Sequence, residues 1–171
     1  MIKLYIYHKY QCDPKKCTGK KLARFGYAKI VRNLNELRFG SLLLDPNAKT
    51  LLSKEDLPRA MKNGLVALDC SWKFAEYEFR RLMVRRRLIP RSLPYLIPAN
   101  PINFGQKYKL STIEAFSSAL IILGFREEGE ALLNLFKWGK VFVDMNAQPL
   151  KDYENASSLA EIVEAEKCYV K

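Results

Sequence analysis

The 171-residue chain has no uninterrupted apolar run approaching the roughly 20 residues of a membrane span. Its four cysteines, Cys12, Cys17, Cys70 and Cys168, are too few and too unevenly spaced to staple a domain of this length, so reduced thiols are expected. Glycine and proline number eight each and are scattered, which excludes collagen-like and low-complexity classes. No Gly-x-Gly-x-x-Gly follows a strand-like segment, which argues against a dinucleotide enzyme and an ordinary Rossmann methyltransferase. Acidic residues are also scarce, with 18 Asp+Glu against 29 Lys+Arg and a net charge of +11. Met1-Ile2-Lys3 leads straight into a strand-like segment with no signal-peptide pattern, so a cytoplasmic protein without membrane contact is expected.

What is present is a composition 49% hydrophobic, enough for a substantial core, and a charge that is unevenly placed. Residues 1–110 carry 23 Lys+Arg and 8 Asp+Glu, a net +15, whereas residues 111–171 carry 6 and 10, a net −4. Such asymmetry points to a polyanionic partner for the first part, because Lys and Arg gain affinity by releasing counterions from phosphates. Short apolar runs at 4–7, 27–31, 41–44, 65–68 and 93–97 fit strands of a parallel sheet buried on both faces. Amphipathic patterns at 18–25, 53–62 and 72–87 predict the intervening helices, an α/β layout. After Pro90, Pro94, Pro98 and Pro101 the pattern turns helical, opening with the capping box Ser111-Thr112-Ile113-Glu114. Further helices are predicted at 127–136 and 157–167, with Gly124, Gly139 and Pro149 as breaks. The expected division is an α/β domain over 1–92 and a helical domain over 93–171.

Ligands of open parallel sheets bind beyond the carboxyl ends of the strands, so residues 8–12, Asp45-Pro46, residues 69–72 and residues 98–100 are the first candidates. Asp45 has the ready explanation of a turn before Pro46, while Asp69 leads into a helix start and a Trp. Helices predicted to begin at Thr18, Ser71 and Ser111 have hydroxyls able to cap, and their N-termini could hold a carboxylate or phosphate. The Cys12-to-Cys17 segment with His8 lacks the fourth ligand of a zinc site, and Thr18-Gly19-Lys20 lacks the glycine spacing of a nucleotide loop, so no metal is expected. Two basic clusters, Lys15, Lys16, Lys20 and Lys21, and Arg80, Arg81, Arg85, Arg86 and Arg87, could track an RNA backbone.

Five blocks occur in one order along nearly the whole chain. They are Cys12-Asp13-Pro14-Lys15-Lys16-Cys17-Thr18-Gly19-Lys20-Lys21-Leu22; Leu68-Asp69-Cys70-Ser71-Trp72; residues 93–105, with Pro98-Ala99-Asn100-Pro101-Ile102-Asn103-Phe104-Gly105 at their end; Lys109-Leu110-Ser111-Thr112-Ile113-Glu114-Ala115; and Phe136-Lys137-Trp138-Gly139. In these the chain resembles the ribosomal RNA aminocarboxypropyltransferases of small-subunit biogenesis, and in its compact length the archaeal members. The resemblance implies a SPOUT-like parallel sheet with a deep trefoil knot, followed by an all-helical C-terminal domain. It implies an enzyme that moves the 3-amino-3-carboxypropyl group of S-adenosylmethionine to N3 of a (methyl)pseudouridine in small-subunit rRNA, releasing 5′-methylthioadenosine, and that works as a monomer.

By the same resemblance Thr18 and Thr112 would hold the cofactor carboxylate, Leu68 the ribose, and Leu93 and Tyr108 the adenine edge. Leu44, Pro46, Leu110 and Ala115 would form apolar walls, and Trp72 and Ala75 would bury the cofactor methyl group so that the aminocarboxypropyl carbon faces the RNA. Asp69 is the candidate general base for the N3 proton, or a group orienting the cofactor ammonium. A SPOUT-type rRNA methyltransferase and a non-enzymatic basic RNA-binding protein of ribosome biogenesis are the competing readings.

Overall fold

The computed structural model describes residues 1–8, 17–69, 77, 79, 80 and 88–170. Five parallel strands, β1 (Leu4–His8), β2 (Lys29–Val31), β3 (Leu42–Leu44), β4 (Leu65–Asp69) and β5 (Ile89–Arg91), form one sheet in the order β2-β1-β4-β3-β5. Seven α-helices accompany them among the described residues: α1 (Thr18–Arg24), α2 (Leu57–Asn63), α3 (Thr112–Ile122), α4 (Arg126–Leu133), α5 (Gly139–Met145), α6 (Ala147–Asn155) and α7 (Leu159–Lys167).

Near-continuous apolar strands follow from burial of both sheet faces. Alternate residues of β1 and β4 divide between two clusters, Leu4, Ile6, Leu65 and Ala67 in one and Tyr5, Tyr7 and Val66 in the other. The first cluster continues without a break into Ile113, Phe116 and Leu120 of α3, Phe142 of α5 and Tyr153 of α6. The second is closed by Leu34, Leu37, Phe79 and Leu88.

The expected strands at 4–7, 27–31, 41–44 and 65–68 are present within a residue or two, and the one expected at 93–97 is not. The fifth strand is Ile89–Arg91, at the sheet edge beside β3, where the missing N–H of Pro90 leaves no gap in a central ladder. Arg91 pins it, its Nε donating to both Asp56 oxygens at 3.1 and 2.9 Å. Residues 93–100 run instead as an irregular extended segment whose backbone is hydrogen-bonded by side chains. Glu166 accepts the Tyr95 N–H at 2.8 Å, the Tyr153 hydroxyl donates to the Tyr95 carbonyl at 3.1 Å, and Asn146 both accepts from the Ile97 N–H and donates to the Ile97 carbonyl.

Two expected helix breaks lie inside helices. Gly139 opens α5 because a Cβ there would stand 2.0 Å from the Leu133 carbonyl oxygen, and Pro149 is the third residue of α6, where its absent N–H has no helical partner to lose.

Candidate functional site

Leu44, Leu68 and Ala67 at the carboxyl ends of β3 and β4 face the start of α3 across an open crevice with a cavity volume of about 100 Å³. Of the residues the resemblance assigns to the cofactor, Leu44, Pro46, Leu68 and Leu93 line the sheet side, and Tyr108, Leu110, Thr112 and Ala115 line the opposite side. Thr18 is the first residue of α1, half-buried and outside this lining. Trp72 and Ala75, and with them Lys15, Lys16, Arg81, Arg85, Arg86 and Arg87, lie outside the described residues.

The crevice has members absent from that set: Asp45, Ala67, Phe79, Pro94 and Leu96. Asp45 does form the turn expected of it, accepting the Asn47 N–H at 2.9 Å, yet it is 5% exposed and burial holds its carboxyl above the usual carboxylate range. Its position right after the β3 run was the available signal. Phe79 carried none, because a Phe in a helical pattern does not show which face of the sheet it covers.

The α3 end of the crevice is fixed by one carboxylate. Glu114 has no exposed surface and accepts hydrogen bonds from the Ala99, Asn100 and Ser111 N–H groups, the Asn100 Nδ2 and the Ser111 hydroxyl, all between 2.7 and 2.9 Å. It thereby completes the capping box of α3 and ties the segment entering the crevice wall to that helix. Tyr108, next along the wall, holds a left-handed backbone with φ of 62° and meets Tyr95 edge to face with ring centroids 6.2 Å apart. A non-glycine residue held there carries strain, a feature that clusters at ligand clamps.

A second constellation forms where β1 and β4 run side by side. The register pairs His8 with Asp69, and α1 brings Cys17 to both. Asp69 Oδ2 accepts a hydrogen bond from the Cys17 thiol at 2.9 Å and lies 3.7 Å from His8 Nε2, which is 3.5 Å from the sulfur. Gly19 permits the approach: a Cβ there would meet Asp69 Oδ2 at 2.6 Å. Burial lowers the His8 pKa, assisted by Lys20 and opposed by Asp69. The N-cap of α1 is Cys17, not the Thr18 expected from its hydroxyl, with the sulfur accepting the Lys20 N–H at 3.3 Å. Ser111 does cap α3, while Ser71 lies outside the described residues.

Of the described basic residues, Lys21 is turned inward, donating to the Leu135 carbonyl and sitting 4.1 Å over the Phe136 ring. Lys20 is half-buried and Arg80 is exposed.

Residues 42–170 match the family described as "Ribosome biogenesis protein, C-terminal", and residues 2–34 match "Possible Fer4-like domain in RNase L inhibitor, RLI". An iron–sulfur cluster takes four thiolates, and residues 2–34 contain two cysteines, Cys12 and Cys17, so the chain does not fit such a cluster. Over its length the chain is 47% identical to a 16S rRNA aminocarboxypropyltransferase of Methanococcoides burtonii, covering 98% of this chain and 94% of the relative. It is 45% identical to that of Methanosarcina mazei, covering 99% and 95%. The solved structure of the SAM-dependent rRNA:acp-transferase Tsr3 from Vulcanisaeta distributa superposes with a TM-score of 0.85 at 38% identity, covering 98% of this chain and 95% of that one.

Proposed function

The chain belongs to the 16S rRNA aminocarboxypropyltransferases, and on that footing we propose that it transfers the 3-amino-3-carboxypropyl group of S-adenosylmethionine to N3 of a pseudouridine, or of a methylpseudouridine, in small-subunit rRNA. The bond between sulfur and the aminocarboxypropyl carbon breaks, an N3–carbon bond forms, the sulfonium leaves as neutral 5′-methylthioadenosine, and the N3 proton passes to a base. The observation that carries this reading is the convergence of Leu44, Pro46, Leu68, Leu93, Tyr108, Leu110, Thr112 and Ala115 on one crevice at the strand ends.

The crevice suits the cofactor chemically. Its walls are mostly apolar, as a nucleoside requires. Among the described residues the Leu93 N–H and the Tyr108 carbonyl enter no backbone turn or ladder hydrogen bond and are available to an adenine edge. Thr112, at the first turn of α3, and Thr18 hold the cofactor carboxylate, and Trp72 and Ala75 cover the methyl group. Orientation of the sulfonium then decides which of its carbons meets the RNA. Asp69 takes the N3 proton, held by the Cys17 thiol in the space that Gly19 leaves free.

Around this site the helical part from residue 93 closes the cofactor over the 1–92 sheet, and the chain is threaded as a SPOUT-like trefoil knot. The protein works in the cytoplasm as a monomer on rRNA. No helix among the described residues is long and apolar enough to cross a membrane.

Incubation with rRNA and S-adenosylmethionine labelled in the carboxyl group tests the reaction. Label on the RNA is expected, and methyl-labelled cofactor should leave none. The reverse pattern would establish a methyltransferase, and no calorimetric affinity for S-adenosylmethionine or methylthioadenosine would leave only RNA binding.

A further inference from the structure

The loop over residues 101–109 joins the crevice wall to α3 and is built unlike an ordinary connection. Its root is locked: the Asn100 N–H and Nδ2 are held by buried Glu114, the Asn103 N–H is held by Asn100 Oδ1 at 2.9 Å, and the Gly105 N–H is held by the Pro98 carbonyl at 2.9 Å. Its exit is the strained Tyr108, which lines the crevice. Its tip nevertheless presents Ile102 at 65% and Phe104 at 60% exposure to solvent.

A single exposed apolar residue needs no explanation, but a loop tied at its root to buried Glu114 that holds two of them within six residues of Tyr108 in the crevice wall does. The loop contains no acidic residue, and exposed Lys107 and Lys109 flank Tyr108. Lys107 lies 5.3 Å over the Tyr95 ring and Lys109 bonds Gln106 at 2.9 Å, so both cations stay close to the loop. Aromatic surface beside positive charge is the composition that holds unpaired nucleic acid, where bases stack on rings and phosphates meet cations.

The reaction proposed above, on which this inference rests, makes the same demand. N3 of a uracil-type base lies on the pairing edge and is inaccessible in a duplex, so the target base has to be unpaired and unstacked before it can reach the cofactor. A base removed from its neighbours leaves exposed stacking faces on the bases beside it. We propose that the 101–109 loop grips the unpaired rRNA strand next to the target nucleotide, with Phe104 stacked on a flanking base, Ile102 packed beside it, and Lys107 and Lys109 on the adjoining phosphates. Tyr108, on the crevice side of the same loop, then couples RNA seating to the cofactor wall.

Fluorescence anisotropy of the full chain with a labelled oligouridylate, and with a duplex RNA of equal length, tests the assignment. Phe104→Ala should weaken oligouridylate binding by between about fivefold and a hundredfold, the worth of one stacked base. It should leave duplex binding, the salt dependence and calorimetric affinity for S-adenosylmethionine unchanged. Phe104→Tyr should restore binding. Phe39→Ala removes an equally exposed ring ahead of the amino end of β3, at the opposite edge of the sheet, and should change nothing. The double variant Lys107→Gln, Lys109→Gln should flatten the salt dependence, lowering its slope by about 1.4. Phe104→Ala binding oligouridylate as tightly as the parent, Phe39→Ala losing as much, or Phe104→Tyr failing to restore affinity would each overturn the assignment. Failure of the aminocarboxypropyl reading has a different signature: a parent chain that grips the oligonucleotide through Phe104 and transfers no carboxyl label to rRNA.

Discussion

Gly19 matters at the scale of one methyl group. Alanine is the better helix former by about 1 kcal/mol, so Gly19→Ala should leave α1 intact or firmer. Its Cβ would displace the Asp69 carboxylate, which stands 2.6 Å from that position. Turnover should fall by up to about a hundredfold while the melting temperature holds or rises, a split that steady-state kinetics and calorimetry measure together. His8 gives a second residue-level expectation. Its folded pKa lies below the unfolded value, so the unfolded chain takes up a proton first as pH drops beneath about 6.5, and stability falls from there down to the folded pKa. The slope should not exceed about 1.4 kcal/mol per pH unit, and it should be lost in His8→Gln, so that the difference between parent and variant in urea titrations at stepped pH carries it. Asp69 and His8 stood out in the sequence by their places after apolar runs, and Cys17 as a possible metal ligand, but the contact of all three did not. A thiol serving as an N-cap has no sequence signature distinct from that of the adjacent threonine, and His8 meets Asp69 only through a strand register linking residues far apart in the chain.

Among the elements, the extended segment from Leu93 to Asn100 is the most consequential. Its apolar residues suit a strand, and Pro94 and Pro98 without N–H donors do not, so the chain satisfies its remaining polar groups from side chains. Nothing local in the sequence announces that Glu166 or Asn146 will supply those bonds. The capping box around Glu114, by contrast, is legible because its partners lie three residues apart. Glu114→Ala would leave five donors without this acceptor and should destabilise the protein by roughly 3 kcal/mol or more in urea unfolding. Glu114→Gln, which keeps one acceptor, should lose less. The missed helices α5 and α6 had the same origin as the misread strand: Gly139 and Pro149 look like breaks until the close contact with Leu133 and the position in the first turn are known.

Across the whole molecule, one apolar cluster runs from the strands into α3, α5 and α6, so sheet and helices share a core. Urea unfolding should therefore be a single transition, reported identically by circular dichroism and by tryptophan fluorescence. Methylthioadenosine at a hundred times its dissociation constant should add about 2.7 kcal/mol and raise the midpoint of thermal unfolding by roughly 5–10 °C. Two separated transitions, with ligand moving only one, would show that the helical part folds by itself. The uneven charge, the parallel sheet and the crevice edge were all open to reading from the sequence, because strand runs and charge sums are local or additive. The wall of the crevice was not, since the segment from Leu93 that forms it is held by Asn146, Tyr153 and Glu166, about fifty to seventy residues further along the chain. Synthesis gives that wiring a temporal meaning. Tyr95 waits for Tyr153 and Glu166, so a nascent chain that has already translated every crevice-lining residue still lacks the bonds that set the wall. The wall is therefore set only once residue 166 has been made, about fifty residues after the last lining residue, Ala115.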